Sequence, residues 1–146
     1  MNNIENPVTK CIAFLKTLSD KEWNTKVDAQ WRVRDVVAHL INWETEVVKV
    51  LPEVWQSRKQ PWFMQTDNFD VFNHHAIEKY KTYTPQQLIE TWINLEKQVQ
   101  EEIAKIGAAR LQAVKNDFDW FFDDDEKSHV LEHLNQIKTT LGKHVL

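Results

Sequence analysis

The stretch Ser128-His129-Val130-Leu131-Glu132-His133-Leu134-Asn135-Gln136-Ile137 sets two histidines four residues apart within a run of helical apolar spacing. On an α-helix, positions i and i+4 share one face about one turn apart. Two imidazoles so placed can grip one metal ion, as in other helical His-x-x-x-His sites. Two ligands rarely complete a site. The best candidate for a third is His39, in Trp31-Arg32-Val33-Arg34-Asp35-Val36-Val37-Ala38-His39-Leu40. The chain therefore reads as a helical bundle that brings the helix of His39 against the helix of His129 and His133.

Composition agrees with helices. The 146 residues suit one domain with a substantial core. Two glycines and four prolines are too few for the turns of a β-rich fold. Seven tryptophans supply large rings that fill cores and also wall pockets. The net charge of −4 and the lack of a long basic run argue against nucleic acid as a partner. Cys11 is the single cysteine, so no internal disulfide can form, which points to a reducing cytoplasm. Its apolar helical setting makes it a packing residue rather than a nucleophile. No signal peptide is read at the N-terminus, and no apolar run approaches membrane-spanning length.

Along the chain, Asn6-Pro7 reads as an N-cap and first helical position, followed by Val8, Cys11, Ile12, Leu15 and Leu18 at helical spacing. Ser19-Asp20-Lys21-Glu22 has the form of a capping box that starts a short helix ending near Trp23. Asn24 to Gln30 is a polar loop. A second long helix begins near Val33, with Val36, Val37, Leu40, Val47, Val48 and Leu51 as its stripe, and Pro52 ends or kinks it. Residues 52–66, with Trp55, Pro61, Trp62, Phe63 and Met64, read as a long crossing connection with some helix at its start. Its rings either wall a functional site or cap one end of the bundle. Asp67 or Asn68 caps a third helix running to about Tyr80. Thr84-Pro85-Gln86-Gln87 is a strong start signal for a fourth, which continues through Ile106 to a Gly107 cap. Residues 108–122 are irregular by pattern. Asp123-Asp124-Asp125-Glu126 lacks the ligand spacing and glycine of a calcium loop, and suits the N-terminus of the last helix instead. Val130, Leu131, Leu134, Ile137 and Leu141 form that helix's stripe, and Gly142 ends it.

Six histidines make one i,i+4 pair unsurprising by chance, so its setting matters more than its spacing. His129 and His133 lie beside Val130, Leu134 and Ile137, and His39 lies beside Val36, Leu40 and Trp43. Histidines near an apolar stripe must stay neutral and find partners, and convergence on a cation would satisfy all three together. The competing reading makes them ordinary interfacial residues. His74 and His75 are adjacent and cannot face one way on a helix, so they read as surface residues, and His144 lies in the tail. Asp67, Asp70, Asp117 and Asp119 could add a ligand or base, although nothing in their spacing demands it. Ser19, Ser57 and Ser128 lack the sharp-turn setting of a serine nucleophile, and no glycine-rich phosphate loop is present.

The segment Trp31 to Glu44 resembles the helix-two signature of the DinB/YfiT-like superfamily, in which the histidine is a metal ligand. His133-Leu134-Asn135-Gln136-Ile137 resembles that superfamily's closing His-Arg-Gly-Gln-Ile. The stretch from Asp67-Asn68-Phe69-Asp70 through Thr84-Pro85-Gln86-Gln87-Leu88 is similar to the middle of the ClbS/DfsB branch. The resemblance covers about Leu18 to Leu141. It implies one DinB-like domain over residues 1–146, an all-α four-helix bundle of up-down-down-up connectivity with a long connection after the second helix and a short extra helix. It also implies a divalent metal held by His39, His129 and His133, and pairing as a homodimer. Members include thiol-dependent transferases and isomerases and a cyclopropane-opening self-protection protein. The sequence departs from the pattern where Glu132 precedes His133, where Leu134-Asn135 replaces Arg-Gly, and in a short stretch before the last helix. Some ClbS/DfsB relatives lack the metal triad.

Two functions follow as expectations. The first is a metal-dependent enzyme on a small-molecule substrate, with Zn, Ni or a similar ion and a low-molecular-weight thiol as cosubstrate. It would catalyse thiol transfer to an electrophile, or its hydrolytic opening, in detoxification or self-protection. Trp43 and Trp62 are the candidate substrate-binding rings. The second is a non-catalytic small-molecule binding or sequestering protein with an aromatic pocket on the same scaffold. A metal that only ties two helices together is a third reading.

Overall fold

Helix α1 (Pro7–Leu15) buries Val8, Cys11, Ile12 and Leu15, the i, i+3, i+4, i+7 set expected from its sequence. The computed structural model describes residues 7–57, 61–64, 66, 68–114 and 129–143, with the side chains of Val54, Trp55, Ser57, Met64, Leu111 and Val114 outside that description. After α1 come α2 (Asp20–Trp23), α3 (Val33–Ser57), a 3-10 turn (Trp62–Met64), α4 (Asp70–Tyr80), α5 (Pro85–Ile106), α6 (Ala108–Val114) and α7 (His129–Thr140). Among the described residues the nearest thing to a sheet is one antiparallel bridge, Lys26 to Arg32. No helix among them is long and apolar enough to cross a membrane.

The ends of the helices follow local chemistry. Both expected capping boxes form. Ser19 Oγ accepts from the Glu22 amide while Glu22 accepts from the Ser19 amide. Thr84 and Gln87 do the same at the start of α5. Gly107, at φ +86°, closes α5 with its N–H on the Ile103 carbonyl. After α7 the Lys143 amide reaches the Lys138 carbonyl and the Gly142 amide the Thr139 carbonyl, a Schellman motif with Gly142 at φ +69°. Leu141 thus lies one residue beyond the helix it was expected to extend.

Two expectations needed correction, at the cap of α4 and over residues 108–114. Helix α3 runs five residues past Pro52, which supplies the helix expected at the start of the connection. An interior proline gives up one backbone bond, here to the Val48 carbonyl, and the neighbouring Leu51 is fully buried, which holds the helix in place. The N-cap position of α4 is Phe69, without a side-chain cap bond, although Asn68 Oδ1 accepts from the Asp70 amide at 3.2 Å. Residues 108–114, expected to be irregular, form α6. Ala, Arg, Leu and Gln are strong helix formers, and seven residues are too few to show a stripe. The Asn6 cap, the irregular run beyond residue 114 and Asp123 to Glu126 lie outside the described residues.

The core joins α1, α2, α3, α5 and α7 around Leu15, Trp23, Val36, Ile41, Leu88, Trp92 and Ile137. Burying each such side chain contributes roughly 1.5–3 kcal/mol before entropy is counted. Three contacts give the helix directions. Arg34, at the start of α3, donates to the carbonyls of Tyr80 and Tyr83 just ahead of α5, so α3 and α5 begin at the same end and run parallel. Lys138, late in α7, lies 5.3 Å from the ring of Phe14, late in α1, so these two also run parallel. Lys143 reaches Glu22 at 3.1 Å, which brings the end of α7 to the end where α3 starts. Helices α1, α3, α5 and α7 are therefore up, down, down, up, and α4 crosses from the end of α3 to the start of α5 while packing on α3. This all-α bundle has the connectivity that the resemblance implied.

Candidate metal centre

His39 is 5 % exposed and is the one buried polar or charged side chain recorded in the core among the described residues. The loop ahead of α3 prepares its surroundings. Asp28 Oδ1 accepts from the amides of Gln30 (2.8 Å) and Trp31 (2.7 Å), an Asx turn. These bonds, that of Trp31 first, hold the Asp28 carboxyl below the usual carboxylate range. The turn and the Lys26–Arg32 bridge set the Trp31 ring 5.0 Å from the imidazole of His39.

From α7, His129 and His133 meet His39. His39 Nε2 lies 3.3 Å from His129 Nε2, which lies 3.0 Å from His133 Nε2. One ring nitrogen from each residue falls within 4.8 Å of the others, a set that can hold a metal ion. Tetrahedral zinc–imidazole bonds of about 2.0–2.1 Å would put pairs of ligand nitrogens ~3.3 Å apart, so both measured separations fit. Behind the cluster, His39 Nδ1 lies 2.9 Å from Asn73 Oδ1 on α4, and His133 Nδ1 lies 3.1 Å from Gln136 Oε1.

Electrostatics keep the His39 and His129 rings neutral. Burial, then the neighbouring His129 and His133, lowers the pKa of His39 to about 3 against the opposing Asn73 bond. His129 is exposed as a residue, but its Nε2 points into the cluster. Desolvation there, then His133, brings its pKa to about 4, opposed by Glu132. Neutral imidazole is the form that ligates metals.

The expected substrate rings also come together. Trp43, one turn after His39 on α3, lies 6.2 Å from Trp62, nearly parallel to it. Phe63, Phe69 and Phe72 close around both. Trp62 is 40 % exposed and its indole donates to Glu46 at 2.8 Å. Phe72 and Asn73 are consecutive on α4, so the aromatic cluster and the histidine cluster share one supporting helix.

Other sequence candidates fall away from the cluster or out of view. His74, His75 and Asp70 are exposed, and Ser19 serves as a cap. Asp67, Asp117, Asp119, Ser128 and His144, and the side chain of Ser57, lie outside the described residues. Sequence reading missed Trp31, Asn73 and Gln136. Gln136 had a signal, since it stands at i+3 from His133 on the same face. Asn73 had none, being 34 residues from His39 on another helix.

A family model described as the mycothiol maleylpyruvate isomerase N-terminal domain matches residues 8–115. That span includes His39, Trp43, Trp62 and Asn73 and ends before His129 and His133. No curated protein and no solved structure matches the chain.

Proposed function

We propose a metal-dependent function for this chain, which belongs to the mycothiol maleylpyruvate isomerase N-terminal domain family within the DinB-like helical superfamily. The observation that carries it is the convergence of three imidazole Nε2 atoms, two of them backed by amide acceptors. His39, His129 and His133 hold one divalent transition metal, zinc, nickel or a similar ion. Such an ion, when bound, supplies Lewis acidity that makes a thiol or water nucleophilic near neutral pH. The rest falls to the protein. Trp31 covers one side of His39, and Trp43 and Trp62 grip the apolar part of a small-molecule substrate. Three protein ligands leave room for a substrate, which is the catalytic rather than the structural pattern.

The reaction proposed is transfer of a low-molecular-weight thiol to an electrophile, or hydrolytic opening of one. The family's description, which names mycothiol, favours the thiol route. A self-protection role goes with kinship to the ClbS/DfsB branch, which rests on the segment from Asp67 to Leu88. Cytoplasmic location, pairing as a homodimer and a single domain over the whole chain are parts of the same reading.

The test is metal content by mass spectrometry of tag-free protein beside a His129→Ala, His133→Ala double variant. Close to one transition-metal ion per parent chain, absent from the variant, supports the proposal and directs a screen of thiols with electrophiles. No metal in either after incubation with zinc or nickel rejects it. A second reading, sequestration of an aromatic small molecule, is favoured by the exposed Trp62 in its ring cluster. Ligand binding that survives His133→Ala and is lost in Trp62→Ala would select it.

A further inference from the structure

We propose that Asn73 and Gln136 are positioning residues that hold His39 and His133 as Nδ1–H tautomers, so that two bare Nε2 lone pairs face one divalent cation. The inference rests on the metal reading above and assigns work to two residues outside the ligand set.

An amide oxygen only accepts, so the ring nitrogen facing it must carry the hydrogen. Asn73 Oδ1 stands 2.9 Å from His39 Nδ1, and Gln136 Oε1 stands 3.1 Å from His133 Nδ1. A neutral imidazole has one ring hydrogen, so both Nε2 atoms are left bare. Free imidazole side chains favour the opposite tautomer, with the hydrogen on Nε2, so these two bonds reverse the intrinsic preference.

Counting hydrogens then shows what the cluster needs. His129 Nε2 is 3.3 Å from His39 Nε2 and 3.0 Å from His133 Nε2. When the rings are uncharged, at most one hydrogen, on His129, lies among the three Nε2 atoms, and it serves one neighbour. At least one lone pair therefore finds no donor among the three rings themselves. A cation satisfies all three at once. Outer-shell acceptors of this kind fix ring orientation and raise ligand basicity.

The two acceptors come from different elements. Gln136 is one turn beyond His133, so α7 orients its own ligand. Asn73 comes from α4, so the crossing helix orients the ligand of α3.

The test uses the full chain with Asn73→Leu, Asn73→Asp, Gln136→Leu and Gln136→Glu, each checked for parent-like circular dichroism. Zinc affinity is read by competition with a chromophoric chelator. Each Leu variant should weaken zinc binding by about 10–100-fold. The carboxylate variants keep the acceptor and should bind at least as tightly as the parent. Leu variants with parent affinity, or carboxylate variants as weak as the Leu variants, overturn the proposal.

A second readout needs no metal. Long-range proton–nitrogen spectra of histidine-labelled apo protein, assigned with His39→Gln and His133→Gln, should show Nδ1–H at both rings. The signal should shift to Nε2–H for His39 in Asn73→Leu and for His133 in Gln136→Leu. Nε2–H at both rings in the parent overturns the proposal even if zinc binds. A parent that shows Nδ1–H but binds no zinc sinks the metal reading and leaves the tautomer assignment standing.

Discussion

The Nε2 atoms of His129 and His133 lie 3.0 Å apart across one turn of α7, a distance that calls for a proton or a cation between them. Adding a full positive charge to this group is costly, which is why the pKa of His39 falls to about 3 and that of His129 to about 4. In the unfolded chain both would titrate at about 6.5. As pH falls below that value the unfolded state takes up protons that the folded state refuses. The metal-free protein should therefore lose stability from pH 6.5 down to about 4. For buried His39 the slope approaches roughly 1.4 kcal/mol per pH unit, and the exposed His129 adds less because water screens it. Urea denaturation of chelator-treated protein at pH 7.5, 6 and 5 measures it, with His39→Gln as the control that flattens the profile.

Glu44 on α3 titrates in the opposite sense. Burial first, then the hydrogen bond with Glu96 on α5 and its charge, raises the Glu44 pKa to about 9. Between pH 4.5 and 9 the folded state keeps a proton that the unfolded chain releases, so stability falls as pH rises through that window. Glu44→Gln keeps a neutral hydrogen-bonding group there. It should stabilise the protein at pH 8 by on the order of 1 kcal/mol and reduce the loss between pH 5 and 8. A variant less stable than the parent at pH 8 with an unchanged pH profile contradicts the shared proton.

Arg34 pins the turn between α4 and α5 to the start of α3 through the carbonyls of Tyr80 (3.1 Å) and Tyr83 (2.5 Å). Charge-assisted bonds of this type contribute about 1.5–3 kcal/mol each. Arg34→Met should cost about 2–3 kcal/mol in urea denaturation. Arg34→Lys should recover part of it, because both bonds leave one guanidinium nitrogen, Nη2, which a charged ammonium on a shorter stem replaces only in part. A Met variant as stable as the parent would show that the turn is held by packing alone.

What could be read from sequence was what local chemistry decides. The Ser19–Glu22 and Thr84–Gln87 boxes and the Gly107 stop each depend on residues within one turn of each other, and each formed as expected. The meeting of His39 with His129 and His133 came from helical spacing joined to a family resemblance, since no local rule links residues 90 apart. Helix α6 escaped notice because its signal is propensity without a stripe, and Pro52, read as either an end or a kink, lies inside α3 beside the buried Leu51. Asn73 and Trp31 reach His39 only through the packing of α4 and the Asp28 turn, which no spacing rule encodes.

Cys11 is fully buried in α1, and desolvation pushes its thiol up to about 12, with Lys138 opposing. The thiolate is the reactive form, so the folded protein should resist labelling. An aromatic disulfide reagent at pH 8 should leave the native chain unmodified over an hour and label one thiol in denaturing urea. Rapid stoichiometric labelling of the native protein would place Cys11 outside the core.

His39 belongs to α3 and His133 to α7, so one ion bridging them closes the bundle between helices that are otherwise distant in sequence. A ligand that binds only the folded state stabilises it by about 2.7 kcal/mol at one hundred times its Kd. Zinc or nickel added to chelator-stripped protein should therefore raise Tm by several degrees in a concentration-dependent way. His133→Ala should abolish the increment while leaving helix content intact, because the half-buried ring is not part of the apolar core. Turnover then separates the catalytic from the structural role. If the Tm increment is lost in His133→Ala and a thiol-transfer or hydrolytic activity is lost with it, the ion is catalytic. An increment lost with no activity in the parent leaves the metal as a tie between α3 and α7, and an increment that persists in the variant moves the binding site away from the triad.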